Sequence, residues 1–407
     1  MKIGYIGLGK LGMPCATEIA KNGYQVDGYD VQSVKSNNVK VVESIKEVVE
    51  GKDIVFVAVP TPHDTRYDGK TPIVDLPPKD FSYDIAKSVL KEANHYMKKS
   101  QLLVLISTVL PGTVRRELAP LVTNCEFVYN PYLIAMGSVA WDMVNPEMVM
   151  IGTEDGKETG PAKKLVEFYK TIMQNEPRYI VGTWDECECI KVFYNTFISA
   201  KLSLVNMIQD VAEIQGNINV DIVTDALAKS TWRIMGPQYM KAGMGDGGAC
   251  HPRDNIALRY MADDLGLGYD LFDAIMTARE IQAKNLAGKL VQESKKSGFP
   301  ILIHGKAYKP NVPYEEGSYS ILIGHYCEEY GITPQYIDPQ TGDNFVPTSP
   351  CVVLLAHSAT TTYSYMNQEQ HDSLYCNIPV GSIVVDPWRK FNDPNYIVIH
   401  YGNTRNV

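Results

Sequence analysis

Lys2-Ile3-Gly4-Tyr5-Ile6-Gly7-Leu8-Gly9-Lys10-Leu11-Gly12 opens the chain after the first methionine. The apolar run up to Gly7 reads as a short buried strand, and residues 13–22 read as a helix. Between them the glycines fall as Gly-x-Gly-x-x-Gly. A second strand pattern over 24–29 ends at Asp30, 18 residues after the last glycine. A glycine triplet alone is weak evidence. Set between a strand and a helix, with an acid at this distance, it is the fingerprint of a dinucleotide-binding turn. Gly7 and Gly9 let the backbone turn and come close to a pyrophosphate. Lys10, Leu11 and Gly12 lead into the helix, whose free N–H groups and dipole favour an anion. Asp30 suits the ribose hydroxyls and repels a 2′-phosphate, so NAD is expected rather than NADP. Lys35 is assigned to the same cofactor site.

Two more buried-strand patterns follow. Residues 53–59 run into Val59-Pro60-Thr61-Pro62, and 102–106 run into Ser107-Thr108-Val109-Leu110-Pro111-Gly112. Hydroxyls and prolines just past the carboxyl ends of strands stand where ligands of open α/β sheets bind. The polar loop 63–82 between them reads as a flap over that site. A strand over 126–129 leads into Asn130-Pro131-Tyr132-Leu133, and 148–153 reads as another. These elements make a doubly wound α/β domain reaching about residue 185.

From 186 the apolar residues recur at helical spacing through Ile190, Phe193, Phe197, Leu204 and Ile208. Lys191 and Asn195, four apart, share one helix face, which also reads as a solvated polar stripe. A long helix is expected over 271–297. A strand over 300–304 then leads into Gly305-Lys306-Ala307-Tyr308-Lys309-Pro310. A helix over 320–330 and strands over 335–338, 351–356, 383–386 and 396–400 complete a second, smaller α/β domain. No internal repeat is visible in the sequence.

The bulk numbers agree with a globular chain of this kind. There are 407 residues, 45% hydrophobic and 21% charged. The net charge of −9 argues against a nucleic-acid partner, so an anionic ligand must be held by local basic groups. No apolar run approaches the ~20 residues of a membrane span. With structure beginning at once and eight scattered cysteines, a reducing cytoplasm and no disulfides or metal are expected. The pair Cys187-Glu188-Cys189 reads as structural.

One further stretch carries chemistry: Gly243-Met244-Gly245-Asp246-Gly247-Gly248-Ala249-Cys250-His251-Pro252-Arg253-Asp254. Four glycines in six residues give a backbone able to wrap a ligand. A cysteine displayed after such a loop becomes a nucleophile where a cation lowers its pKa, and Asp254 is available to orient water. The same stretch also reads as a glycine-rich surface loop with a buried thiol.

Taken in order, these motifs resemble those of the UDP-glucose/GDP-mannose dehydrogenase family over nearly the whole chain. The resemblance rests on Gly7-x-Gly9-x-x-Gly12, Val59-Pro60-Thr61-Pro62, Ser107-Thr108-Val109, Asn130-Pro131 and Lys191-x-x-x-Asn195. It continues through the Cys250 loop with Asp254, Gly305-Lys306-Ala307-Tyr308-Lys309 and Asp386-Pro387-Trp388-Arg389. It implies two Rossmann-like doubly wound domains (1–185 and 298–407) joined by a central helical, dimerising region (186–297). It also implies a four-electron, NAD-dependent oxidation of a nucleotide sugar's C6 alcohol to the acid, UDP-glucose being the foremost substrate. Cys250 would carry a thiohemiacetal and then a thioester. Lys191 and Asn195 would stabilise oxyanions, and Asp254 and Thr108 would position or activate water. Tyr132, Leu133, Arg233, Tyr239, Gly245, Gly247, Gly248, Lys309 and Arg389 would face the nucleotide sugar.

Several positions depart from the family pattern. Its Glu after Asn-Pro is Tyr132 here, and a second Glu is Met136. A phenol is a poor base near neutrality, so Asp246 or His251 is expected to take over part of that work. The family's Arg-Glu-Ser becomes Glu315-Glu316-Gly317-Ser318, and its Asp-Gly-Arg is one residue longer in Asp386-Pro387-Trp388-Arg389. The alternatives are altered chemistry (two-electron oxidation, slow thioester release or another nucleotide sugar) and a non-catalytic nucleotide-sugar-binding protein.

Overall fold

The computed structural model describes residues 1–62, 79–135, 137–236, 242–244, 259, 261–315, 317–358 and 378–403. Most of the loop 63–82, and Met136, Tyr239, Gly245, Asp246, Gly247, Gly248, Cys250, His251 and Asp254, lie outside the described residues. The chain forms two compact units, Met1–Lys201 and Leu202–Val407. Both are α/β, as the motifs imply.

The first unit is an eight-stranded sheet in the order β3-β2-β1-β4-β5-β6-β7-β8. Its strands are β1 (Lys2–Ile6), β2 (Gln25–Tyr29), β3 (Lys40–Val41), β4 (Ile54–Val57), β5 (Leu102–Leu105), β6 (Glu126–Tyr129), β7 (Met148–Thr153) and β8 (Arg178–Thr183). Neighbours run parallel except β6 and β7. The central strands are apolar on both faces because both faces are covered. Ile3, Tyr5, Ile54, Phe56, Leu102 and Val104 point to one side, with α1 (Gly12–Lys21), α4 (Val139–Val144) and α5 (Gly160–Lys170). Ile6, Val55, Val57, Leu103 and Leu105 point to the other, with α2 (Ile45–Val49) and α3 (Asp84–Tyr96). That alternation is the period of two that the pleat dictates. The strand order reverses between β1 and β4, which puts a ligand crevice beyond their carboxyl ends. The short β3, and β8 beyond the antiparallel pair, went unread in the sequence.

The helix α6 (Trp184–Gln215) begins two residues before the expected 186 and continues past Lys201. Its first turns pack on the second face of the sheet through Trp184, Cys187 and Ile190. Cys187 is fully buried there, and burial pushes its thiol up to about 12. A shorter helix, α7 (Val220–Ala228), follows.

The second unit carries a six-stranded sheet in the order β11-β10-β9-β12-β13-β14. These are β9 (Ile301–His304), β10 (Gln335–Asp338), β11 (Asp343–Asn344), β12 (Val352–Leu355), β13 (Ile383–Asp386) and β14 (Ile397–His400). Only β10 and β11 pair antiparallel. On one face lie α8 (Leu271–Ser297) and α9 (Tyr319–Glu329). Asp270 caps α8 by accepting the Asp273 N–H at 3.0 Å, and Gly298 ends it at φ 75°. Among the described residues, no helix is long and apolar enough to cross a membrane.

Candidate active site

The first glycine turn is shaped by backbone contacts. Gly7 has φ +93°, and its N–H bonds the Tyr29 carbonyl at 2.8 Å. A Cβ on Gly7 would lie 2.4 Å from the Ala58 carbonyl oxygen, and one on Gly12 would lie 1.8 Å from the Gly7 oxygen. These two glycines are therefore required by the fold. Gly9 differs, since a Cβ there would meet no atom of the described residues within 4 Å. Its missing side chain leaves open space just where α1 begins, which fits close approach of a pyrophosphate. Lys10 is exposed beside it, and Leu11 is half-buried.

Asp30 closes the turn from the neighbouring strand. Its Oδ2 accepts the Leu8 N–H at 2.7 Å and its Oδ1 the Gln32 N–H at 2.8 Å. A carboxylate has about four acceptor positions, so capacity remains for ribose hydroxyls at this half-buried residue. Lys35 is exposed nearby in sequence. The residues present fit NAD.

The second unit repeats this turn without repeating its sequence. Gly305 has φ +104°, and its N–H bonds the Ile337 carbonyl at 2.7 Å. Asp338 Oδ2 accepts the N–H groups of Lys306 and Ala307, each at 2.8 Å. Its Oδ1 accepts the Gln340 N–H at 3.0 Å, and the residue is 2% exposed. Asp338 is thus buried where Asp30 is accessible, and this turn does not offer a ribose the same carboxylate.

Three loops lie along the carboxyl edge of the first sheet. The Thr61 hydroxyl donates to the Thr108 carbonyl at 2.6 Å, and the Ser107 hydroxyl donates to the Val59 carbonyl at 2.5 Å. These bonds tie the loop after β4, with Pro60 exposed at its surface, to the loop after β5. Beyond β6, Asn130 is fully buried; its amide donates to the Met150 carbonyl at 2.6 Å and accepts from the Tyr169 hydroxyl. Tyr169 in turn shares a hydrogen bond of 2.9 Å with the Tyr132 hydroxyl. The Tyr132 phenol is therefore turned into the core of the unit, towards Tyr5 and Cys15. Burial, then the neighbouring tyrosines, hold it well above the ordinary phenol range.

Lys191 reaches back from α6 to the same loop, its Nζ donating to the Tyr132 carbonyl at 2.8 Å across 59 residues of sequence. Burial lowers its pKa from the ordinary lysine value. Asn195 lies one turn further along α6, and Leu133 packs half-buried against the second face. The structure thus bonds the loop of Val59 and Thr61 to that of Ser107 and Thr108, and Lys191 to the loop of Tyr132.

In the second unit Arg389 has φ +57° and bonds three backbone carbonyls. It donates to the Pro387 carbonyl, to the Tyr401 carbonyl at 3.0 Å and to the Ala242 carbonyl at 2.6 Å. Trp388, in the lengthened motif, packs where a Cβ on Gly243 would lie 2.1 Å from the indole. Both residues grip the entry to the glycine-rich stretch. Lys309 is exposed, its ammonium 5.1 Å from the Tyr308 ring centre, and Arg233 is exposed in the turn after α7. Glu315 pairs with Lys306 at 3.0 Å.

Two family models match this chain. The NAD binding domain of the UDP-glucose/GDP-mannose dehydrogenase family matches residues 31–173, and the family's central domain matches 185–280. The chain belongs to this family. As a UDP-glucose/GDP-mannose dehydrogenase family member it is an NAD-dependent oxidoreductase. The match starts just after Asp30, so the glycine turn itself rests on the geometry above. A UDP-glucose 6-dehydrogenase of Gallus gallus is 24% identical over 382 residues, covering 91% of this chain and 75% of that protein. One of Rhizobium meliloti is 27% identical over 327 residues, covering 78% and 71%. A crystal structure of a ternary complex of GDP-mannose dehydrogenase from Pseudomonas aeruginosa has a TM-score of 0.78 at 20% identity, over 98% of this chain and 99% of that one. That likeness concerns the fold.

The glycines give a separable prediction. Gly9→Ala should keep the melting temperature and weaken NADH binding on the order of tenfold, ~1.4 kcal/mol. Gly12→Ala should instead lose about 2–3 kcal/mol of stability by overpacking. Thermal melts and NADH fluorescence titrations check both; equal melting losses would contradict the distinction.

Proposed function

We propose that this family member oxidises the C6 alcohol of a UDP-sugar to the carboxylate in two NAD-dependent steps, with UDP-glucose the foremost substrate. The observation that carries the reading is the junction of Lys191 with the Asn130-Pro131-Tyr132 loop, beside the hydroxyl-lined loops after β4 and β5. The names of the relatives from Gallus gallus and Rhizobium meliloti support the sugar. The cofactor, when bound, supplies the hydride acceptor for both oxidations.

In this reading Lys191 holds its ammonium at the developing oxyanion, in a partly desolvated setting where such charge is strong, and Asn195 assists. The Cys250 thiolate adds to the aldehyde carbon; loss of hydride from that adduct leaves a thioester. Water adds to the thioester carbonyl and the thiolate leaves, with Thr108 and Asp254 orienting the water. Gly245, Gly247, Gly248 and Tyr239 surround the sugar, while Lys309, Arg233 and Arg389 neutralise or frame the diphosphate. The division into domains 1–185, 186–297 and 298–407 belongs to the same reading.

One observation favours a second outcome for the last step. The Tyr132 phenol is bonded to Tyr169 and kept neutral by burial, so it is no base for hydrolysis. Either Asp246 or His251 serves there, or the thioester leaves slowly.

Acid quenching of the working enzyme followed by peptide mass spectrometry should find an acyl adduct on Cys250. Cys250→Ala should still bind NADH and make no acid. Acid formation at the wild-type rate by that variant would sink the thioester route.

A homodimer through the central helices is part of the proposal. It is supported by the large apolar side chains exposed on α6 and α7, among them Phe193, Phe197, Ile214 and Ile222, the last 70% exposed. Light scattering should give twice the 45.3 kDa chain mass, and Phe197→Asp should shift it toward one chain. A wild-type monomer at micromolar concentration would contradict the assignment.

A further inference from the structure

The first turns of α6 carry a carboxylate that none of the steps above uses. Glu188 is fully buried; its Oε2 accepts the Gly112 N–H at 2.5 Å and its Oε1 accepts the Val114 N–H at 2.7 Å. The first amide lies in the turn Leu110-Pro111-Gly112-Thr113, closed by the Thr113 N–H on the Leu110 carbonyl at 3.1 Å, and the second is that of the next residue. Proline at its second position and Gly112 at φ +84° at its third make it type II. The turn follows directly on Ser107-Thr108. On the helix, Glu188 stands three residues before Lys191 and seven before Asn195, so all three share one stripe.

We infer that Glu188 is a positioning residue whose carboxylate locks the Thr108 loop to the helix that carries Lys191, holding cofactor-side and substrate-side groups as one body. The inference rests on the roles given above to Thr108 and Lys191. Each Glu188 oxygen faces a backbone N–H, so both must accept. The ionised form accepts twice; protonation turns one oxygen into a donor aimed at a donor.

Burial opposes that ionisation and raises the Glu188 carboxyl to about 7, with the two amides opposing the rise. The charged groups around it are Asp185 on its own helix, which raises the value, and Arg116, which lowers it. Arg115, paired with Asp185 at 2.8 Å, faces it from the same turn as Arg116. The titratable neighbours are Tyr129 on β6 and the thiols of Cys187 and Cys189. The lock therefore loosens as pH falls through neutrality. Linkage has the opposite sign for global stability. The folded chain holds this proton more tightly than an unfolded one with the ordinary value of 4.5. Ionising Glu188 thus subtracts stability as pH rises from there to about 7, even while it orders the loop.

The test compares wild type and E188Q by NADH fluorescence titration between pH 6 and pH 8. If binding needs the ionised form, the wild-type Kd should rise about tenfold at pH 6. E188Q should be flat with pH, and about tenfold weaker than wild type at pH 8. A wild-type Kd that does not change with pH, or the same pH dependence in E188Q, overturns the inference. Should E188Q fail to fold, amide exchange at Gly112 and Val114 in the wild type decides, after correction for intrinsic rates. Protection lost between pH 8 and pH 6 supports the lock, and unchanged protection overturns it. Neither readout needs sugar turnover, so failure of the substrate assignment leaves this test standing.

Discussion

The carboxyl edge of the first sheet depends on a small set of side chains that satisfy backbone groups of other loops. A buried donor or acceptor without a partner costs about 1–3 kcal/mol, so each such bond fixes a loop as well as a residue. Thr61 and Ser107 join the loops after β4 and β5. Glu188 joins the second of these to α6, and Lys191 joins α6 to the loop after β6. The anchor beneath all of them is apolar. Trp184, Cys187 and Ile190 seat the start of α6 against the sheet, and the two charged residues follow from that placement.

The paired glycine turns show how one backbone device serves two ends. In both units a left-handed glycine after the central strand hands its N–H to the next strand, and a carboxylate closes the turn. Asp30 stays accessible and keeps acceptor capacity. Asp338 is saturated by Lys306, Ala307 and Gln340 and is buried. The same geometry offers a ribose a carboxylate in the first unit and serves structure in the second.

Much of this was legible in the sequence, because it is local. The glycine motif with Asp30, the strands over 126–129, 148–153, 335–338 and 383–386, and the helix over 271–297 follow from period, breakers and caps. Contacts of long sequence separation were not legible. In the sequence Glu188 reads only as part of a structural Cys-x-Cys pair, since its partners lie 76 and 74 residues away. The available signal was its spacing of three and seven to Lys191 and Asn195. Tyr132 was recognisable as a departure from the family's glutamate. Only the fold reveals that its phenol points into the core while its carbonyl holds Lys191. The motif ending at Arg389 reads as one residue longer than the family's; the fold packs its Trp388 over Gly243.

The central claim is a four-electron oxidation completed without the family's glutamate. NADH yield per sugar consumed, measured across a panel of UDP- and GDP-sugars at saturating NAD, tests it most directly. The account predicts two NADH per sugar, with UDP-glucose foremost. One NADH per sugar, or a burst equal to the enzyme concentration followed by arrest, would contradict it.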